Sequence, residues 1–301
     1  MALPARRAPL TPRASPLRRP RPRLAPSAMP ARAPSAHTPV DFAKLQNGSD
    51  VRGVALAGVD GEPVTLPPAA AYYVAQAFVG WLSERTGVPQ EEVSVGIGRD
   101  PRLSGPALRD AAAAGAASRG ASVSDFGIAT TPACFMSCVM PGFQHHGAVM
   151  LTASHLPWNR NGAKFFTAEG GLDKADITDI LGRAASAWEE AGGALPQLSG
   201  AEVTDCPELM RAYAGHLRGV IRAGVGDLAP GERPLEGLRV CVDAGNGSGG
   251  FFASDVLAPL GADVACSQFL DPDGEFPNHA PNPEDKAAMA SASAAGGAPR
   301  G

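Results

Sequence analysis

"VSVGIGRDPRLSGPALRDAAAAGAASRGASVSDFG" occupies Val93 to Gly127, and its periodicity changes twice. Val93 to Ile97 is a short β-rich run, Pro106 suits the first turn of a helix, and the alanine-rich segment to Ser118 is a strong helix former. Strand character resumes from Ala121 to Phe126. Strand, helix, strand within 35 residues is a βαβ unit, which predicts parallel pairing and a right-handed crossover.

Working outward, "GAVMLT" (Gly147 to Thr152) is another apolar run, and it ends at the loop of "AVMLTASHLPWNRNGAKFF". In open α/β sheets the functional crevice lies beyond the carboxyl ends of strands, which is where Ser154 falls. "GAKFFT" can form a strand, and Lys174 to Ala191 a helix with Ile177, Ile180, Leu181 and Trp188 on one side. The first domain is expected to close near "GGALPQLSG". A second α/β unit then opens with a helix carrying Leu209, Tyr213, Leu217, Val220 and Ile221 at helical spacing. Its expected βαβ comprises "LRVCVDAGNGSGG", a helix from Phe251 to Leu260 and a strand around Ala262 to Ser267. After "PNPEDKAAMA" the residues "SASAAGGAPRG" have no apolar periodicity, so this domain reads as unfinished.

At 301 residues, 44% hydrophobic and 19% charged, the chain can bury a substantial core and is long enough for about two domains. The first forty residues hold eight arginines, ten prolines and no acid, so the net charge of −4 leaves −12 for the rest. An acidic body does not suggest a nucleic-acid partner. An arginine-rich segment without an apolar centre reads as an organellar transit peptide, recognised by import machinery. Its proline content favours a plastid, with mitochondrion or cytoplasm as alternatives, and a basic tail docking on an acidic partner is the other reading. No stretch approaches the roughly 18 apolar residues of a membrane span.

Several motifs compete for the chemistry. Five cysteines without a CxxC pair read as reduced, mostly buried thiols, and adjacent His145 and His146 as a solvated loop. Ser154 and His155 are sequence neighbours, which rarely achieve nucleophile and base geometry, and the GxSxG elbow is missing. Gly245, Gly247 and Gly250 satisfy GxGxxG, but Asp243 stands just ahead of the turn and no acidic residue ends the next strand. "DPDGEF" fails as a calcium loop because Phe276 holds the sixth position.

The combination is more specific than any part. "SDVRG" (Ser49 to Gly53), "GIGRDPRLSGPAL", "TASHLPWNRNGAKFF", "VDAGNGSGG" and "DPDGEFPNHAPNPE", in this order, resemble the α-D-phosphohexomutase family from about Asp41 to Ala290. The resemblance implies mixed α/β domains with a largely parallel sheet, the first complete and the second truncated. The expected layout is a disordered transit peptide (1–40), domain I with the phosphoserine loop (41–195), partial domain II (196–290) and a low-complexity tail (291–301). It also implies that Ser154 is phosphorylated, gives its phosphoryl group to a hexose phosphate and recovers one from the bisphosphate intermediate. His155 matches the adjacent active-site histidine, Lys164 a general acid/base and Arg52 an arginine near the phosphoserine; Arg102 and Ser104 would brace the site. Phosphoryl transfer needs such positive charge and a proton acceptor of tuned basicity.

Two departures stand out. Leu156 replaces the asparagine of the commoner TASHNP loop, a form similar to plant-type members. The family's magnesium loop, DGDxDR-like, and its GEMSGH-like sugar loop do not occur in these residues. Mg2+, expected for the complete enzyme, would keep only the Ser154 phosphate as a ligand. The expectation is therefore a phosphohexomutase half with little turnover alone, or a non-catalytic phosphosugar-binding or interaction module, its sugar unspecified.

Overall fold

A computed structural model describes residues 40–196, 198, 202–226, 229 and 231–297. The expected transit segment and the end of the expected tail lie outside the described residues. From Val40 onward the chain forms one compact unit.

Its strands are β1 (Gln46–Asn47), β2 (Asp50–Val54), β3 (Ser94–Arg99), β4 (Ser122–Ile128), β5 (Gly147–Leu151), β6 (Arg160–Thr167), β7 (Gly170–Gly171) and β8 (Val203–Asp205). The helices are α1 (Pro68–Thr86), α2 (Gly105–Ala117), α3 (Thr131–Val139), α4 (Lys174–Glu190), α5 (Glu208–Val225) and α6 (Lys286–Gly297). All eight strands form one sheet in the order β1-β2-β6-β5-β3-β4-β8, with β7 on β6. From β5 to β8 the pairing is parallel, and from β5 to β1 it is antiparallel. The expected βαβ unit is β3-α2-β4, and its strands pair in parallel.

Local chemistry explains the helices. Pro106 occupies the first turn of α2, where its missing N–H costs nothing. Asp173 caps α4 through the amides of Ala175 and Asp176, and Asp176 reaches back to the Asp173 amide. Ile177, Ile180, Leu181 and Ala184 then share one face and are fully buried. Alternation along the sheet separates two cores. Val149 and Leu151 of β5 face α1, α2 and α4, whereas Ala148 and Met150 face α3 and the start of α5. The result is a three-layer α/β sandwich, which leaves the carboxyl ends of β3 and β5 side by side.

The second expected βαβ unit does not form as such. Between residues 239–243 and 263–268 the only β-bridges among the described residues are Arg239↔Asp263 and Asp243↔Gln268, with side-chain contacts between them. Four steps along one run oppose five along the other, so the register slips, and two runs without a third neighbour do not sustain a sheet. The expected helix there is a π-helical turn, Phe252–Leu257, followed by a 3-10 turn, Ala258–Leu260. β8 lies beyond the expected 195/196 boundary yet pairs with β4 of the first sheet. The expected tail is helical as far as Gly297: its alanines favour α6, the Asp285 carboxylate accepts from the amides of Ala287 and Ala288, Ala288 is buried, and Gln268 donates to Ser291 Oγ. Of the apolar stripe on α5, Leu209 and Tyr213 are buried but Val220 is exposed, since the stripe outruns its packing partners.

Candidate active site

Ser154 follows β5 at the tip of the loop, with φ +56, a left-handed conformation uncommon for a residue bearing a side chain. It and His155 are exposed. The backbone beneath is tied down. The Ser154 amide donates to Thr152 Oγ1 at 2.8 Å, and the Thr152 hydroxyl donates to Asp100 Oδ2 at 2.6 Å.

Arg102 is the keystone of this loop. It is 0% exposed, and its guanidinium donates to the carbonyls of Ser154 (2.9 Å), Leu156 (2.8 Å), Pro157 (2.6 Å) and Arg160 (3.0 Å). Its Nε donates to Asp100 Oδ2 at 3.0 Å, which pairs the buried charge. Burial pushes the Asp100 carboxyl above its ordinary range, against the opposing pull of Arg102 and the Thr152 hydroxyl. Asn161 extends the brace by donating to Ser104 Oγ at 2.9 Å. The expected supporting role of Arg102 and Ser104 is thus visible as contacts. Because the clamp grips main-chain oxygens, Leu156 can stand at its position without breaking it.

Arg52 and Lys164 approach from the antiparallel half of the sheet. Arg52 donates to the Thr152 carbonyl at 2.7 Å and to Asp50 Oδ2 at 2.9 Å, while Lys164 Nζ lies 2.6 Å from the same Asp50 oxygen. The structure therefore joins Arg52 and Lys164 to the base of the loop through Asp50. It does not place them on the wall of the cleft that Ser154 and His155 line.

That cleft has a volume of about 450 Å3, and its far wall comes from the second segment: Asp243, Gly245, Ser248, Phe276 and His279. Gly274 pairs with Arg102 across it, so close that an added Cβ would sit 2.2 Å from the Pro101 carbonyl oxygen. Phe276 then covers the Arg102 guanidinium, 5.3 Å from ring centroid to charge. His279 and Asp243 form an ion pair at 3.1 Å. The Ala280 carbonyl and Asp243 hold His279 above the ordinary imidazole range. Burial alone would raise Asp243, but donors from Gln268, His279 and the Gly245 amide bring it below the usual range. The glycines of "VDAGNGSGG" thus serve a turn whose Gly245 amide is taken by Asp243.

Sequence reasoning missed Asp50, Asp100, Phe276 and His279 as members of the site, although all four sit inside the quoted motifs. His145 was misplaced. It is buried, bonded to the Ser137 carbonyl and Ser124 Oγ, and set edge-on against Phe126, because the chain after α3 returns to its last turn, where the His145 amide donates to the Ser137 carbonyl. All five cysteines are free, and four are buried. Among the described residues no group of three or more His, Cys, Asp or Glu could hold a metal ion. The two carboxylates lining the cleft, Asp100 and Asp243, are already engaged. The side chains present therefore do not form a magnesium site.

A three-layer α/β protein with a tightly bonded serine loop facing a second segment of bridged runs and short helical turns is the class that fold and site define. Residues 43–191 match phosphoglucomutase/phosphomannomutase domain I and residues 227–298 match domain II, so the chain belongs to that family. It is 36% identical over 221 residues to the phosphoglucosamine mutase of Symbiobacterium thermophilum, covering 72% of this chain and 44% of the relative. To the phosphomannomutase/phosphoglucomutase of Pseudomonas putida it is 33% identical over 234 residues, covering 77% and 44%. A phosphoglucomutase/phosphomannomutase family protein from Burkholderia thailandensis superposes with a TM-score of 0.62 at 26% identity, covering 83% of this chain and 50% of that one. The chain thus spans about half the length of the relatives it matches, or less.

Proposed function

We propose that this chain carries the phosphoserine half of a hexose-phosphate mutase site. The observation that carries the reading is Ser154 itself: exposed, left-handed and facing a 450 Å3 cleft, on a loop held by a buried arginine. A nucleophile held this rigidly loses little entropy on reaching the transition state. In the proposed step, the bond from phosphorus to Ser154 Oγ breaks as a sugar hydroxyl oxygen bonds to phosphorus. The resemblance assigns the hydroxyl proton to Lys164, which requires the Lys164–Asp50 pair, outside the cleft wall here, to reach the cleft when a sugar phosphate is bound. Arg52 and His155 offset negative charge at the phosphoserine loop. Reversal from the bisphosphate regenerates the phosphoserine. Magnesium, when bound to the complete enzyme, would stabilise charge on the phosphate.

Support comes from the matched family and from relatives named phosphoglucosamine mutase and phosphomannomutase/phosphoglucomutase, which leave the sugar open. Incubation with glucose 1,6-bisphosphate followed by peptide mass spectrometry should place phosphate on Ser154, and Ser154→Ala should abolish it. Phosphate on another residue, or none, would refute the reading. Bare Ser154 together with measurable binding of glucose 6-phosphate would instead support a phosphosugar-binding module. Turnover of glucose 1-phosphate to glucose 6-phosphate by this polypeptide alone is expected to be small. Residues 1–40 are proposed to direct import into a plastid, which a fluorescent reporter fused to them would test.

A further inference from the structure

The five thiols do not have equal surroundings. Cys134, Cys138 and Cys206 lie in the apolar layer between sheet and helices. Burial pushes all three thiols up, Cys138 and Cys206 to about 11, which leaves them unreactive. Cys241 and Cys266 sit elsewhere, on the two parallel runs of the second segment. The bridges Arg239↔Asp263 and Asp243↔Gln268 bracket them and hold them side by side. Cys241 Sγ lies 2.6 Å from the Cys266 carbonyl oxygen, so its side chain already points at the other residue. Closing a disulfide would exchange this carbonyl contact for the Cys266 sulfur by rotation about the Cα–Cβ bond of Cys241, within the ~4.4–6.8 Å that a disulfide spans between Cα atoms.

Their electrostatics are also divided. The Cys241 thiol and then the Arg239 guanidinium hold Cys266 below the ordinary thiol range, whereas burial and the neighbouring Cys266 push Cys241 up to about 11. One sulfur favoured as thiolate beside one kept protonated is the division of labour that thiol exchange uses.

We propose that Cys241 and Cys266 form a redox-active pair that closes into a disulfide. With a low-molecular-weight disulfide such as glutathione disulfide as oxidant, Cys241, the less buried of the two, gives up its proton and attacks one sulfur, releasing one glutathione thiolate. The Cys266 thiolate then attacks the Cys241 sulfur and expels the second glutathione thiolate. Two protein thiols are oxidised, one disulfide is reduced to two thiols, and the protons end on the released glutathione. The new bond staples together the runs that end at Asp243 and Gln268, whose side chains bond at 2.8 Å in the cleft wall. This site is independent of the phosphoryl-transfer reading.

The full 301-residue chain, equilibrated in glutathione buffers of graded ratio, alkylated and digested, provides the test. The expected result is a single linked peptide pair, Cys241 to Cys266, with intact mass lower by two hydrogens. The link should be lost in Cys241→Ser and in Cys266→Ser and retained in Cys134→Ser. Arg239→Gln should slow its formation. Alkylation of both thiols at every ratio, a link through Cys134, Cys138 or Cys206, or a glutathione adduct on Cys241 that never resolves would each overturn the proposal.

Discussion

Arg102 shows how much one side chain can organise. Four carbonyls and one carboxylate converge on its guanidinium, which no water reaches. Lysine would keep the charge but not the planar fork, so Arg102→Lys is expected to cost about 2–4 kcal/mol in urea unfolding, because buried acceptors lose their donors. Exposed Trp158, within the same loop, provides a fluorescence reporter of loosening. The two environment-shifted histidines give opposite pH signatures. His279 is raised above 6.5, so its contribution is complete below that value and fades as pH rises through the raised one. Asp243, lowered from 3.8, contributes above 3.8, so their pairing is strongest between about pH 4 and 6.5. His145 is lowered from 6.5 by burial, so it favours the fold above 6.5 and loses that contribution as pH falls through its depressed value. Stability measured against pH should therefore flatten on the alkaline side in His279→Gln and on the acid side in His145→Gln. Unchanged slopes in both variants would contradict these assignments.

At the scale of elements, the loop depends on how tightly β6 lies against its neighbours. Gly162 pairs with Arg52 in β2, and a Cβ there would sit 2.1 Å from the Val51 carbonyl oxygen and 3.1 Å from that of Thr152. Gly162→Ala is thus expected to push β2 from β6 and cost about 1–3 kcal/mol by overpacking, visible as a lower urea midpoint and faster amide exchange in 152–164. Such contacts explain what could be read in advance. The βαβ unit from Val93 announced itself through local periodicity, and α4 through its cap and stripe. Ser154, His155, Lys164 and Arg52 are legible as motif positions, and of these Ser154 and His155 line the cleft. The Arg102 clamp was less legible, because its acceptors are main-chain oxygens with no residue signature. His145 was misread for a related reason: its partners, Ser124 and Ser137, are supplied by other elements. In the second segment the alternation of "LRVCVD" resembles a strand, but strand formation needs neighbours, and here the only one is a slipped parallel run.

Across the whole molecule, α5 connects the sheet to the cleft's far wall. Leu209 packs beneath the sheet with Phe126 and Met150, Tyr213 meets the Phe251 ring at 6.0 Å, and Ala214 joins Val256 and Leu260. Three apolar clusters therefore follow one another from β5, which presents Ser154, along α5 to the segment that carries Asp243, bridged by the half-buried Met210, Leu217 and Phe251. Truncating the middle contact should separate the two ends. Tyr213→Ala is expected to cost about 3–5 kcal/mol, as for other buried aromatics, but with an uneven distribution. The 239–270 region, held by few backbone ladders, should exchange its amides much faster, while β3 and β5 keep their protection. The cleft would then lose its far wall before its serine loop. If the sheet and the 239–270 region instead lost protection to the same degree, α5 would be part of a single cooperative unit, and Ser154 could not keep its conformation without the second segment.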